Sequence, residues 1–240
     1  MTALPSDVPA IATRDEWLAA RLELLRKEKE HTRMRDALNE ERRRLPMVKV
    51  EKDYRFQTAH GDRRLVDLFE GRQQLIVHHF MWIDRAGEGC PGCSMLMDTV
   101  GNLAHLNAAN TTLAFVSRAP IEQLEAFRAR MGWTTPIVSS AGTDFNFDFH
   151  VTLDPSRGAT TYNFRDVREL GGPVASYSGD LPGESVFVRR GDDVYHTYST
   201  YARGTEPSSN IFGFLDYTPL GRQDGRGVQP WARLHDRYDA

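Results

Sequence analysis

Apolar positions change their period along the chain, and each change marks an element. Trp17, Leu18, Leu22 and Leu25 recur at helical spacing inside a highly charged segment, 13–44, and Met34 and Leu38 continue a thinner stripe. Thr13 or Asp15 suits the cap of this helix, and Pro46 stops it. So narrow an apolar face suits a helix lying on the domain or on a second subunit, as a homodimer arm, or a solvated helix docked at one end. From Met47 the pattern alternates: Val48, Val50, Tyr54 and Phe56 read as edge strands, and Gly61-Asp62 as a turn. Leu65, Leu68 and Phe69 form a short element ended by Gly71. The run Leu75 to Trp82 then has the continuous apolar character of a buried parallel strand. Met95, Leu96, Val100, Leu103 and Leu106 return to helical spacing. Thr112 to Val116 is a second buried strand. Pro120 opens a helix faced by Ile121, Leu124, Phe127 and Met131, and Pro136 to Ser139 is a third strand.

Residues 141–182 are broken by Pro and Gly and read as an irregular insertion. After them, Ser185 to Val188 and Val194 to Tyr198 flank Arg190-Gly191-Asp192-Asp193, a hairpin signal. A short helix is expected from Ser208 to Tyr217, and a Gly- and Arg-rich tail after Thr218 is expected to wrap the surface. Strands alternating with helices predict an α/β fold: a mixed sheet flanked by helices, its parallel core built from βαβ units. Residues 1–46 form an N-terminal helical extension, and 47–240 one domain carrying the insertion.

Composition narrows the classes. Of 240 residues, 40% are hydrophobic and 10% aromatic, enough to fill a core. A net charge of −3 offers no basis for a nucleic-acid partner. No run approaches the ~20 apolar residues that cross a bilayer, so no membrane partner is expected. The first residues lack the basic start and apolar core of a secretory signal, and a cytoplasmic location is expected.

The chain has two cysteines, in Cys90-Pro91-Gly92-Cys93. A disulfide closing so small a loop removes little entropy from the unfolded chain, so redox chemistry or metal binding explains the pair better than stability. The pair lies between a buried strand and a helix expected to begin near Cys93. Helix N-termini carry partial positive charge and unpaired N–H groups, and both favour a thiolate. Cys90, nearer the loop, is expected to attack, and Cys93, one turn deeper, to resolve the mixed disulfide. Pro91 fixes a backbone angle and Gly92 permits close approach. Strand, Cys-x-x-Cys and helix in that order form a strong signal.

With these residues in place the chain resembles the thioredoxin-like superfamily. Phe56, Gly61, Leu65, Leu68, Phe69, Gly71 and Leu75 to Phe80 look like the entry of its peroxiredoxin and membrane-anchored thiol-reductase branch. The whole chain resembles an uncharacterised bacterial subfamily, through His79-Phe80-Met81-Trp82, Cys90-Pro91-Gly92-Cys93-Ser94, Gly132-Trp133, Phe145-Asn146, His196 to Tyr201 and Leu215 to Pro219. The resemblance implies a thioredoxin-like fold, and a cis-proline opposite the dithiol for which Pro182 is the nearest candidate and Pro136 the other. Two features depart from thioredoxins. The inner dipeptide is Pro-Gly rather than Gly-Pro, and the longer loop Ile83 to Gly89 brings acidic residues that would disfavour a thiolate.

The leading reading is a thiol–disulfide oxidoreductase. A second is a peroxidase: Pro91-Gly92-Cys93 matches the peroxiredoxin pattern, with Cys93 attacking peroxide and Cys90 where a Thr is usual, Ser94 lying close by. A third is a non-enzymatic binding protein of the same fold, its cysteines structural thiols. Zinc would need four ligands, and adjacent His78 and His79 face opposite ways on a strand, so only one could join the thiols. One of these histidines is expected in the core, the other near the dithiol as a proton shuttle. Trp82 shields the sulfurs or simply packs. His150 ends a strand. His196 with Tyr195, Tyr198 and Tyr201 lines a groove or follows ordinary alternation. Asp84, Arg85 and Glu88 are solvated loop residues. No Gly-x-Ser-x-Gly elbow, phosphate loop or nucleic-acid motif occurs, and no cofactor is expected.

Overall fold

A computed structural model of the chain describes residues 8–223 and 229–238. The first residues of the N-terminus, and the middle of the Gly- and Arg-rich tail expected to wrap the surface, lie outside the described residues. Helix α1 (Arg14–Arg43) starts at a capping box in which the Glu16 amide donates to Thr13 Oγ1 at 3.3 Å and the Thr13 amide to the Glu16 carboxyl at 2.8 Å. Thr13, not Asp15, is therefore the cap. Trp17, Leu18, Leu22, Met34 and Leu38 remain 43% to 58% exposed, so the domain does not cover the stripe. Near its far end the helix approaches the sheet, where the Arg42 guanidinium lies 4.8 Å over the Tyr198 ring.

The sheet has eight strands: β1 (Val48–Lys49), β2 (Arg55–Thr58), β3 (Gly61–Arg64), β4 (Gln74–His79), β5 (Thr111–Ser117), β6 (Ile137–Ser139), β7 (Gly183–Arg190) and β8 (Asp193–Tyr201). Their order is β1–β8–β7–β4–β5–β6–β2–β3. β4, β5 and β6 run parallel. Helix α2 (Pro91–Thr99) lies on the crossover between the first two, and α3 (Ile121–Arg130) between the last two. The hairpin β7–β8 adds antiparallel strands beside β4, and helix α4 (Asn210–Leu215) follows. This is a thioredoxin-like mixed sheet flanked by helices, with the long helix α1 ahead of it.

Alternation along the strands divides the core in two. Ala114 and Val116 of β5 join Phe56, Phe69, Leu75, Val77, Phe145 and Phe187 on one side. Phe115, between them, joins Phe80, Cys93, Leu96, Leu124, Phe127 and Ile137 on the other. Phe56, Phe69, Phe115 and Phe187 are fully buried, and truncating any of them to Ala should cost about 3–5 kcal/mol.

Several boundaries differ from the sequence reading. The helical stripe from Met95 to Leu106 is two helices: α2 ends at Thr99, Gly101 takes a positive φ of 67°, and Ala104–Ala108 starts afresh. The β2–β3 turn falls at Ala59-His60, and Gly61 already pairs with Thr58. The insertion is more ordered than Pro and Gly suggest. Phe145–Asp148 is a helical turn, Thr152–Leu153 pairs with Gly179–Asp180, and Thr161–Tyr162 pairs with Arg165–Asp166. Phe145 and Phe149 stand one turn apart, both buried, and the Tyr54 ring lies 5.0 Å from Phe145. The last helix, Asn210–Leu215, is shorter at both ends than the expected Ser208 to Tyr217, and it follows a 3-10 segment, Ala202–Ser208. Among the described residues no helix is long and apolar enough to cross a membrane.

Candidate active site

The two cysteines sit where β4 gives way to α2. After β4 the chain runs through Phe80 and Met81 into a tight ladder, Trp82–Ile83 against Glu88–Gly89, which returns it beside the strand end. The Cys90 amide donates to the Met81 carbonyl at 3.0 Å, fixing the cysteine at the tip of the sheet. Gly89 is required here: a Cβ would lie 2.5 Å from Phe80 and 2.8 Å from Phe127. Helix α2 then begins two residues earlier than the sequence suggested. Cys90 is the N-cap in extended conformation, Pro91 occupies the first turn, and the Ser94 amide donates to the Cys90 carbonyl at 2.9 Å. Gly92 is less constrained than expected, since a Cβ there would meet Cys90 Sγ at an ordinary 3.8 Å.

Both cysteines are free thiols, Cys90 partly exposed and Cys93 buried. Their acidities are driven apart. The Cys93 thiol does most to lower Cys90, burial opposes it, and the backbone amides of Cys93 and Gly92 and then His78 lower it further, to about 6. Cys93 moves the other way. Its proton is held toward the Cys90 sulfur, and burial and the charge on Cys90 raise it well above the usual thiol range. The acidic loop does not have the effect expected of it. Glu88 is neutralised by Arg237 at 2.9 Å and Arg130 at 3.4 Å, and Asp236 holds Arg130 in turn at 2.7 Å. Glu88 is thus an anchored residue rather than a solvated one.

Cys90, Cys93 and Pro182 share a cavity of about 260 Å³, closed by Met81, Leu96, Phe212 and the Ala202–Ser209 segment. Pro182 precedes β7 as the resemblance implied, but no peptide bond among the described residues is cis, so the cis-proline expectation fails for both Pro182 and Pro136. Pro136 lines a different cavity. The Tyr162 hydroxyl, from the insertion, donates to the Pro182 carbonyl at 2.8 Å and accepts from the Ala202 amide at 2.9 Å, which fixes Pro182 in place. Trp82 is buried in the same apolar cluster as Cys93, its ring 5.5 Å from Phe127, and is absent from the cavity wall. Ser94, considered for the peroxidase reading, is buried with no partner for Oγ and is also absent from that wall.

The histidines separate as strand alternation requires. His79 faces the Phe145 and Phe149 rings, with Nε2 2.8 Å from Ser185 Oγ, and burial first, then His78 and His196, lowers its pKa to about 3. His78 lies on the other face, in the cavity wall. His196 is half-buried against Phe149 and Phe187, with Nε2 2.8 Å from Ser199 Oγ, and lines no part of this cavity. His150 follows the Phe145–Asp148 turn with a positive φ of 56° and precedes the ladder strand Thr152–Leu153. Sequence reasoning missed three neighbours. Glu184 stands 3.4 Å from His78 Nδ1, Asp180 receives Arg118 and Thr152 at 2.8 and 2.7 Å and bears on Cys93, and Tyr162 holds Pro182. Each lies 69 or more positions from the nearer cysteine, beyond any spacing rule. Among the described residues no cluster of His, Cys, Asp and Glu suits a metal ion.

A family model described as "Bacterial protein of unknown function (DUF899)" matches residues 6–238. No curated protein matches the chain. Among solved structures, a mutant of PrxQ from Xylella fastidiosa is 14% identical, with a TM-score of 0.45 over 71% of this chain and 95% of that one. The peroxidoxin BcpB from Mycobacterium tuberculosis is 13% identical, with a TM-score of 0.47 over 69% and 94%. A peroxiredoxin Q mutant from Xanthomonas campestris is 12% identical, with a TM-score of 0.47 over 72% and 97%.

Proposed function

The chain belongs to this bacterial family of unknown function, and from its own site we propose that it is a thiol–disulfide oxidoreductase in which Cys90 attacks and Cys93 resolves. The observation that carries the reading is the placement of two thiols on one cavity wall, Cys90 partly exposed at the N-cap of α2 and Cys93 buried one turn in, which drives their acidities apart. A group with a pKa of about 6 is roughly nine-tenths thiolate at pH 7. Cys90 therefore supplies the nucleophile, and its partial exposure lets a substrate sulfur reach it. Cys93 keeps its proton until a mixed disulfide has formed, which is what a resolving thiol requires.

The same asymmetry argues against the peroxidase reading in its original form. Cys93 would have to be the acidic, accessible thiol, and it is 4% exposed with its acidity suppressed. The test is reduction of a small disulfide by the wild type, Cys90→Ser and Cys93→Ser. Cys90→Ser should lose activity, and Cys93→Ser should stall as a mixed disulfide detectable by mass. Equal rates in all three proteins would overturn the proposal, and peroxide consumption lost only with Cys93 would restore the peroxidase. Thiols no more reactive than free cysteine would leave a binding protein.

A further inference from the structure

We propose that His78 is the base that takes the Cys93 proton in the resolving step and passes it to the departing thiolate, with Glu184 as its positioning residue. This rests on the oxidoreductase reading of the dithiol and adds a proton path to it.

His78 is 2% exposed, on the face of β4 that carries the Phe115 ring, and it forms part of the cavity wall shared by both sulfurs. It stands directly opposite Glu184 in the β4–β7 register. The Glu184 carboxyl lies 3.4 Å from Nδ1 and accepts a hydrogen bond from the Ser208 hydroxyl. Turned away from Glu184, Nε2 is buried without a partner. Leaving such a nitrogen unpaired destabilises the fold, so an apolar side chain would fill this place better if filling were the only need. With Nδ1–H directed at Glu184, the lone pair rests on Nε2, the tautomer that accepts a proton. Glu184 then stabilises the imidazolium that forms.

The other charged and titratable groups around the ring agree with this role. Cys90 bears on it from the start of α2, Cys93 shares its cavity wall, Asp180 bears on Cys93 as a further charged neighbour, and His79 adjoins it on β4 but is directed to the opposite face. From the Ala202–Ser208 segment, Arg203 and Glu206 pair with each other at 2.7 Å across the cavity.

In the step itself, the Cys93 sulfur attacks the Cys90 sulfur of the mixed disulfide. A Cys90–Cys93 bond forms, and the bond to the substrate sulfur breaks, with its electron pair leaving on that sulfur. The proton lost by Cys93 goes to His78 Nε2 and then to the departing thiolate, which leaves as a thiol. The dithiol is oxidised, and the substrate disulfide is reduced by two electrons.

Dipyridyl disulfide tests this without the natural substrate, because each thiol that reacts releases one coloured thiopyridone. The first equivalent reports Cys90 and the second reports resolution by Cys93. At pH 9, where Cys90 is thiolate with or without His78, the first phase of His78→Gln should stay within about twofold, while the second slows about 10²-fold, the usual worth of a general base. The slowed phase should also recover as pH rises and hydroxide replaces the base, and Glu184→Gln should slow it by a smaller factor. An unchanged second phase in His78→Gln would overturn the proposal, and so would equal slowing of both phases, the mark of lost packing. A wild-type first phase no faster than free cysteine would instead overturn the oxidoreductase reading, and the relay would fall with it.

Discussion

Cys93 does more than any other group to make Cys90 acidic. Removing that sulfur in Cys93→Ala should move the midpoint of Cys90 alkylation up from about 6 toward the ordinary thiol value of ~8.5. The rate of iodoacetamide trapping against pH measures it. His79 makes a second residue-scale prediction, of stability rather than chemistry. In the folded chain it stays neutral down to about 3, whereas unfolded it binds a proton near 6.5. Between those values the unfolded state holds more protons, so stability falls as pH falls, by about 1.4 kcal/mol per pH unit from this group. His79→Gln should flatten the acid limb of a urea-denaturation series by that slope. At this scale the sequence pointed to the cysteines and to a division of labour between two adjacent histidines. Which histidine faces the thiols depends on the register of β4 against β7, and Glu184 stands more than a hundred positions from His78. Neither fact leaves a local trace.

The ladder before the dithiol carries the element-scale prediction. Gly89→Ala would push a methyl group into the Phe80 and Phe127 rings, and overpacking of this kind costs about 1–3 kcal/mol. A lower urea midpoint together with a changed Cys90 trapping rate is expected, because Gly89 and Cys90 are consecutive. The strands and helices around it were legible because each has a clean period. The break at Gly101 was not, since the apolar stripe continues across it into a second helix. The insertion was hidden for another reason: its strands pair two residues at a time, too short to show alternation. The neutral environment of Glu88 was equally hidden, because its partners come from α3 and from the chain's end.

For the whole molecule, we propose that 47–240 folds without the preceding helix. None of the 30 residues of α1 is buried, so removing 1–46 should leave one cooperative thermal transition within a few degrees of the full chain, with thiopyridone release unchanged. Calorimetry and the dipyridyl assay check the two halves of that statement, and a chain that no longer unfolds cooperatively would refute it. The sheet has a consequence of its own at this scale. Eight strands in an open sheet end in two edges, each a row of unsatisfied backbone groups that could template another chain. Here one edge is β1, two residues long, and the other is β3, where Asp62 and Arg63 are exposed. β1 covers only Tyr195 and His196 of the nine-residue β8, whereas charge guards the β3 border, so the two borders differ in how openly they offer their backbone to another chain.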